Sequence, residues 1–225
     1  YDPSMDDIRS LLFPLHVTSF CLCDALQDES YLGASQIIIV SASSKTAIGL
    51  AQGLADIPDA PKTVGLTSAK NSAFVKNLGC YDEVISYDQL ETIDYQSKSV
   101  IVDMAGSREI LGTLHGSLKD NMLKCFTVGM THWDNEITAE DALGQAMLRD
   151  RTEFFFAPAH IQKRIKDWGH EGYGEKTNTF MSSRALQSKE WMQVKTIIGL
   201  ETFLPTYGKV VSGDINPNEG IIVKI

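Results

Sequence analysis

Residues 36–55, QIIIVSASSKTAIGLAQGLA, decide the fold class of this 225-residue chain. The stretch opens with the almost wholly apolar run 36–40, which is typical of a strand buried on both faces of a parallel sheet. It ends with four apolar residues at helical spacing, which are Ala47, Leu50, Ala51 and Leu54. A buried strand that leads through a short polar turn into an amphipathic helix is the first half of a βαβ unit.

The same alternation of strands and helices continues towards the carboxyl terminus. Further strands are predicted at 63–66, 83–86, 99–103, 124–128 and 152–156, with helices at 69–78 and along Ile161, Ile165 and Trp168. The crossover connections between parallel strands should be right-handed. We therefore expect an α/β fold, a Rossmann-type doubly wound parallel sheet of about six strands that occupies residues 31–200.

Four segments lie outside this alternation of strands and helices. Residues 1–30 are predicted to form a helix that enters the sheet domain, 169–176 a Gly-rich mobile loop, and 182–198 a long amphipathic helix. Residues 201–225 are predicted to contain a short helix at 207–211 and a final strand. Because the chain begins at Tyr1 and both flanks break the pattern, we expect a processed product or a piece of a longer chain, with 1–30 and 201–225 leading to a second domain.

Composition excludes several classes of protein. The net charge of −9 argues against nucleic-acid binding, and 43% hydrophobic with 22% charged residues argues against a disordered or disulfide-scaffold chain. No run approaches the roughly eighteen apolar residues of a membrane helix, and there is no signal core at the amino terminus, so we expect a cytoplasmic protein without a membrane partner. The four cysteines and five histidines have no metal-ligand spacing, so no metal site is expected.

The turn between the first strand and the first helix is the candidate phosphate site, because backbone N–H groups and the helix dipole converge there. Ser41, Ser44 and Ala47 have the three-residue spacing of a GxxGxxG/A loop. The residues expected to contact a pyrophosphate are Ser41, Ser43, Ser44, Lys45 and Thr46. Two other interpretations of this turn stay open. Ser44-Lys45-Thr46 is similar to the Gly-Lys-Ser/Thr ending of a P-loop without its leading glycine, and the turn could simply pack the helix on the sheet.

The end of the second strand indicates which dinucleotide is bound. An acidic residue at this place would accept the ribose hydroxyls of NAD. The chain instead has Thr67, Ser68 and Lys70, two hydroxyls and a cation that suit a 2′-phosphate. The sequence therefore predicts NADP(H) in preference to NAD, unless Lys70 is only an exposed charge on the first turn of a helix.

These segments together resemble the medium-chain dehydrogenases/reductases, and within them the zinc-independent quinone oxidoreductase and enoyl reductase branch. The resemblance is carried by residues 37–55, by VGLTSAKNSAFVKNLGCYDEVISY at 64–87, by VIVDMAG at 100–106 and by FTVGMT at 126–131. The segment FFFAPAHIQKR at 154–164 resembles a poorly characterised branch of such proteins. The chain departs from the family in its Ser-for-Gly loop and in lacking the amino-terminal, GroES-like substrate domain.

The resemblance implies an NADP(H)-dependent, zinc-independent oxidoreductase that transfers hydride to a small-molecule acceptor, either a quinone, an enone or an enoyl compound. It implies that Lys70 and Tyr87 lie near the 2′-phosphate. The other cofactor contacts that it implies are Thr18, Asp103, Ala105, Gly106, Gly129, Met130 and Thr131. Pro14 stands where zinc-dependent members carry a cysteine, which implies that no catalytic zinc is bound.

Two further functions remain open at the level of the sequence. The chain could be a non-catalytic NADP(H)-binding sensor, scaffold or partner subunit, or an interaction domain that has lost the cofactor. The catalytic residues are not identified, although His132, His160 and Tyr173 are candidate proton donors. Relatives of this kind pair the edge strands of their cofactor domains, so a homodimer is expected through 152–156, TEFFF, an apolar edge that would otherwise be prone to aggregation.

Overall fold

The computed structural model describes residues 2–128 and 148–224. The strands of its main sheet are β1 (Gln36–Val40), β2 (Lys62–Thr67), β3 (Glu83–Ser86), β4 (Ser99–Asp103), β5 (Met122–Thr127) and β6 (Thr152–Phe154). All six are parallel, and their spatial order is β3-β2-β1-β4-β5-β6. This is the doubly wound α/β sheet that the sequence predicts, and the direction of winding reverses between β1 and β4.

Helices cover both faces of the sheet. They are α1 (Asp6–Asp28), α2 (Lys45–Ala55), α3 (Ala69–Asn77), α4 (Arg108–Leu118) and α5 (Ala157–Trp191). A second, two-stranded parallel sheet follows, formed by β7 (Gln193–Ile198) and β8 (Glu219–Lys224) with α6 (Leu200–Val211) between them. None of the helices in the described ranges is long and apolar enough to cross a membrane.

The core forms two apolar layers because β1 is buried on both sides. Ile37 and Ile39 pack into the layer that includes α1 and α2, whereas Ile38 and Val40 pack into the layer that includes α4. Successive side chains of a strand point to opposite faces. An uninterrupted apolar run is therefore what a central parallel strand needs, and β1 has the bounds predicted from its sequence.

Helix α1 is fixed against the beginning of α2. The hydroxyl of Ser19 donates to the carbonyl oxygens of Leu15 and Thr46, at 2.9 and 2.8 Å. A Cβ at Gly49 would lie 2.6 Å from the Ser19 Oγ, so only glycine allows the two helices to come this close. The predicted entry helix thus positions the amino-terminal end of α2.

Two predictions for the carboxyl-terminal third are wrong, and a third helix is confirmed but is longer than predicted. Residues 169–176 are not a loop: they belong to α5, which bends at Gly169 (φ 74°, ψ 170°) and then continues as a helix. The predicted helix 182–198 ends at Trp191, and its last part forms β7, because Val194 and Ile198 satisfy both the helical and the alternating period. The helix expected at 207–211 begins earlier, at Leu200.

Candidate functional site

The candidate site lies at the carboxyl ends of β1 and β4, where the winding of the sheet reverses. After β1 the chain turns sharply at Ser41, whose φ of 62° is unusual for a residue other than glycine. The N–H of Ser44 donates to the Ser41 carbonyl at 2.8 Å. The Ser44 side chain then caps α2 by accepting the N–H of Ala47 at 3.3 Å.

The first turn of α2 offers two backbone donors. Within the described ranges, no acceptor is bonded to the N–H groups of Lys45 and Thr46. The first N–H groups of a helix have no partner inside the helix, and the dipole places partial positive charge there. Together with the hydroxyls of Ser43 and Ser44, this arrangement can bind an anion.

Two tyrosines hold the turn after β1 in place. The hydroxyl of Tyr87 accepts the N–H of Ser41 at 3.0 Å, and the hydroxyl of Tyr81 donates to the carbonyl of Ala42 at 2.9 Å. Burial raises the pKa of both phenols, so both are neutral. Gly65 makes room for this contact, because a Cβ there would lie 2.8 Å from the Tyr81 ring.

Sequence reasoning named Tyr87 but missed Tyr81. It expected Tyr87 near the adenosine 2′-phosphate, and in the structure the phenol contacts the turn itself. Tyr81 lies in the run 64–87 that carries the resemblance, but its partner Ala42 is 39 positions away. Tyr81 lies just before β3, and the pairing of β3 with β2 and of β2 with β1 brings the two together.

The predicted ribose side of the site lies at the end of β2. Thr67 is buried, and Ser68 precedes α3, while Lys70 is exposed on the first turn of α3. Sequence reasoning missed Asn71, whose side-chain amide donates to the Ser43 hydroxyl at 3.2 Å. This hydrogen bond ties α3 to the β1–α2 turn, so the two predicted halves of the nucleotide site are adjacent.

Lys45 does not extend freely into solvent. Its Nζ donates to the carbonyl oxygen of Pro217 at 3.1 Å, just before β8, and burial lowers the pKa of the amine. A cation is disfavoured at the positive end of a helix. Because of this cost, the amine is more favourably placed when it is directed away from the first turn of α2. Its hydrogen bond to Pro217 connects the turn to the β7–α6–β8 unit.

The loop after β4 is shaped by Asp103. This carboxylate is fully buried and accepts the N–H groups of Ala105 and Gly106, at 3.0 and 2.9 Å. The N–H of Val128 donates to the Asp103 carbonyl at 2.8 Å, which joins the ends of β4 and β5. Asp103, Ala105 and Gly106 therefore form one bonded turn. The predicted contacts Gly129, Met130 and Thr131, and the candidate proton donor His132, lie outside the described residues.

The remaining sequence candidates lie on helices. Thr18 is on α1 next to Ser19, the residue bonded to Thr46, and its hydroxyl donates to the Pro14 carbonyl at 2.9 Å. Ser19, the neighbour of Thr18, is thus the residue that contacts the start of α2. Thr18 itself is half-buried at this contact between helices.

His160 and Tyr173 lie in the contact between α1 and α5. His160 Nε2 is 2.6 Å from a carboxylate oxygen of Asp24, and that oxygen also accepts a hydrogen bond from Arg164 at 2.6 Å. Burial raises the pKa of Asp24, but these two hydrogen bonds outweigh it and lower the pKa overall. The Tyr173 ring packs edge-on against Phe20, with the ring centres 6.0 Å apart. These contacts hold α5 on α1.

The sequence matches a model of a protein family over residues 1–216, and that family is described as "Protein of unknown function (DUF2855)". The chain belongs to this family. No curated protein matches the sequence.

Solved structures share the fold at low identity. CurA from Vibrio vulnificus in complex with NADPH is 15% identical with a TM-score of 0.57, and the match covers 92% of this chain and 61% of that one. The yhdH oxidoreductase from Salmonella enterica in complex with NADP is 14% identical with a TM-score of 0.56, over 94% and 61%. The Etr1p/NADP/crotonyl-CoA complex is 13% identical with a TM-score of 0.53, over 93% and 60%.

These similarities establish the fold alone, an α/β fold with a six-stranded parallel sheet and a small two-stranded sheet. The chain spans about three fifths of the length of the structures that it matches.

Proposed function

We propose that this protein binds NADP(H) and acts as a zinc-independent oxidoreductase, or as the cofactor domain of one, that transfers hydride to a quinone, enone or enoyl-type acceptor. The observation that carries the proposal is the pair of free N–H groups of Lys45 and Thr46 at the start of α2, beside the point where the sheet reverses. Similar folds solved with NADPH or NADP support the choice of cofactor.

The residues at the start of α2 fit a dinucleotide. The N–H groups of Lys45 and Thr46 are unpaired donors at the positive end of a helix, which suits a pyrophosphate. The hydroxyls of Ser43 and Ser44 are close to this donor pair, and we assign Ser41 to the same contact. NADPH supplies the hydride when it is bound, while the protein binds and orients it.

The end of β2 would bind the adenosine half of the dinucleotide, and the end of β4 would bind the nicotinamide half. Thr67, Ser68 and Lys70 would receive the 2′-phosphate side, with Tyr87 supporting the turn. The residues assigned to the nicotinamide side are Thr18, Asp103, Ala105, Gly106, Gly129, Met130 and Thr131. The Asp103 carboxylate has a positioning role here, because both of its oxygens accept backbone N–H groups.

Titration with NADPH and NADH, followed by nicotinamide fluorescence, tests the cofactor proposal. We expect saturable binding of NADPH and weaker binding of NADH. Ser44→Asp places a negative charge at the pyrophosphate position and should abolish binding of both. Ser182→Asp adds the same charge on an exposed position of α5 and should leave affinity unchanged. Undiminished affinity in Ser44→Asp would show that the pyrophosphate does not lie at the start of α2.

A non-catalytic NADP(H)-binding module is the second candidate, and two contacts favour it. The N–H of Ser41 is already bonded to Tyr87, and the amine of Lys45 is bonded to Pro217, so two groups of the loop are engaged within the protein. Turnover with a panel of quinones, enones and enoyl thioesters separates the candidates. NADPH oxidation by any of them supports the oxidoreductase, and binding without turnover supports the module.

We also propose a cytoplasmic location, a homodimer, and the domain organisation expected from the sequence. In that organisation, segments 1–30 and 201–225 connect residues 31–200 to a GroES-like substrate domain. The lengths of the matched structures support a further domain, since the chain spans about three fifths of each. The dimer would form through β6, the last strand of the sheet: Phe154 at its end is 60% exposed, and Phe156 two residues further on is 58% exposed.

A further inference from the structure

A second cavity lies at the end of α2 opposite to the proposed nucleotide site. Its volume is about 390 Å³, and the last residues of α2, α3 and α5 line it. Helix α2 has 11 residues and is therefore about 16 Å long, so the cavity is well separated from the first turn of that helix. The cavity is therefore too far from the proposed nucleotide site to take part in dinucleotide binding.

Three helices end at this cavity. Ala55 is the last residue of α2, Asn77 of α3 and Trp191 of α5, and all three line the cavity. The carboxyl end of a helix carries partial negative charge and carbonyl oxygens without partners inside the helix. Three such ends around one small volume create a negative potential in it.

Two carboxylates add to this potential. Asp56 directly follows α2, and Glu190 lies in the last turn of α5. Asp56 is bonded to Arg184, whereas Glu190 has no ion-pair partner in the part of the chain that the structure describes. No lysine or arginine is found among the described residues that line the cavity. The charge in the cavity is therefore compensated only in part.

Three side chains that line the cavity have a buried polar atom without a hydrogen-bond partner: two are acceptors, and the third is a donor, the indole Nε1 of Trp191. The side chain of Gln52 is 7% exposed, and its Oε1 is buried and has no partner; the Oε1 of Gln187 is in the same state. Leaving a buried acceptor unpaired is unfavourable. A ligand that brings N–H donors would satisfy both oxygens at once. The indole of Trp191 lines the same cavity, and an aromatic ring attracts a cation to its face.

The lining favours an organic cation over a metal ion. Burial raises the pKa of the Cys80 thiol to about 12, so this sulfur is a neutral group rather than a thiolate ligand. Among the described residues, no group of three His, Cys, Asp or Glu side chains is placed to hold a metal. We propose that the cavity binds a small organic ammonium ion, whose N–H groups donate to Gln52 and Gln187 and whose charge is stabilised by Glu190 and the three helix ends.

Calorimetric titration of the 225-residue protein at low ionic strength tests this site with three probes. Putrescine, which has two primary ammonium groups, should give a saturable one-to-one isotherm. The bis-quaternary analogue 1,4-bis(trimethylammonio)butane has the same two charges and chain length without N–H donors and should bind about tenfold more weakly. Butane-1,4-diol has the length without the charge and should give no heat of binding. Absence of a saturable isotherm with putrescine, or equal affinity for 1,4-bis(trimethylammonio)butane, would overturn the proposal.

Variants of the lining locate the binding. Gln187→Leu removes one unpaired acceptor and should weaken putrescine about tenfold, and Glu190→Gln should weaken it about fivefold. Glu171→Gln makes the same change of charge on an exposed position of α5 away from the cavity, so it should leave the affinity unchanged. An equal loss in Glu171→Gln and Glu190→Gln would show non-specific attraction to an acidic protein.

A gain of affinity provides a test that misfolding cannot imitate. Gln187→Glu keeps an acceptor at this position and adds a negative charge, so putrescine should bind more tightly to this variant. Weaker or unchanged binding would contradict the proposal. No nucleotide is needed in these titrations, so their result is independent of the proposed oxidoreductase function.

Discussion

Lys45 and Lys70 flank the proposed phosphate site, and their environments differ. Lys45 is half-buried and bonded to the Pro217 carbonyl, whereas Lys70 is exposed on the first turn of α3. Only Lys70 can therefore approach a ligand without breaking a contact within the protein. This makes Lys70 the sharper probe of whether a 2′-phosphate is recognised.

Lys70→Ala should weaken NADPH binding about tenfold and leave NADH binding nearly unchanged, because only NADPH carries the 2′-phosphate. Nicotinamide fluorescence titrations measure both affinities. Lys76→Ala is a matched control, since it removes an equally exposed lysine from the last turn of α3. An equal effect of Lys70→Ala on both nucleotides would mean that the lysine is only a surface charge.

Tyr81 and Asn71 show why the site could be predicted only in part. The spacing of Ser41, Ser44 and Ala47 was enough to locate the turn after β1. The contacts that hold it involve Tyr81 and Asn71, which are 39 and 28 positions away from their partners in sequence. Hydrogen bonds between distant residues leave no periodic pattern, so sequence reasoning on spacing cannot find them.

Tyr81→Phe should lower the free energy of unfolding by about 1–3 kcal/mol, because it leaves the Ala42 carbonyl without its buried donor. Urea unfolding followed by circular dichroism measures this change. Tyr207→Phe removes a hydroxyl from an exposed ring on α6 and should change stability by less than about 0.5 kcal/mol. Equal stability of Tyr81→Phe and the wild type would show that the phenol does not hold the turn.

At the scale of elements, the strands were predicted better than the last helices. The bounds of β1, β3 and β4 agree with the sequence prediction, because buried parallel strands are short apolar runs bounded by polar turns. The glycines of 169–176 suggested a loop, yet only Gly169 adopts a positive φ. Helix α5 is held by contacts with α1 and α2, and tertiary packing of this kind overrides local propensity.

The packing of α5 on α2 can be tested at Gly53. A Cβ at this position would lie 2.6 Å from the ring of Phe180 and 3.2 Å from the Cys23 sulfur. Gly53→Ala should therefore destabilise the protein by about 1–3 kcal/mol, measured by urea unfolding. Gly174→Ala on α5 meets nothing within 4 Å and should instead stabilise by about 0.5–1 kcal/mol. A stabilising Gly53→Ala would show that α2 and α5 can separate at little cost.

At the scale of the whole molecule, titratable groups at the contacts between elements determine how stability depends on pH. Three carboxylates at the α1–α5 contact are bonded to cations: Asp24 and Asp28 to Arg164, and Asp167 to both Arg164 and Lys163. These bonds hold the pKa of each of the three carboxyl groups below its usual range. These three groups therefore become protonated in more acidic solution than ordinary carboxyl groups do.

Two buried histidines contribute to the pH dependence of stability at mildly acidic pH. Burial lowers the pKa of His16 to about 4, with a further contribution from Arg184, and burial alone lowers the pKa of His115 to about 4. Both are neutral in the folded protein at pH 5, whereas the same imidazoles in the unfolded chain titrate near 6.5. The unfolded state therefore binds more protons between these two values, and the free energy of unfolding must fall as the pH decreases through this window.

The free energy of unfolding should fall by up to about 1.4 kcal/mol per pH unit for each histidine, from its full value at neutral pH, as the pH decreases from about 6.5 to 4. Urea unfolding at half-unit pH intervals measures the slope. His16→Gln and His115→Gln should each reduce it by about half, even if both lower stability at pH 7. His170→Gln removes an exposed histidine of α5 and should leave the slope unchanged. A free energy of unfolding that stays constant from pH 7 to 5 would mean that these two imidazoles are accessible to protons in the folded protein.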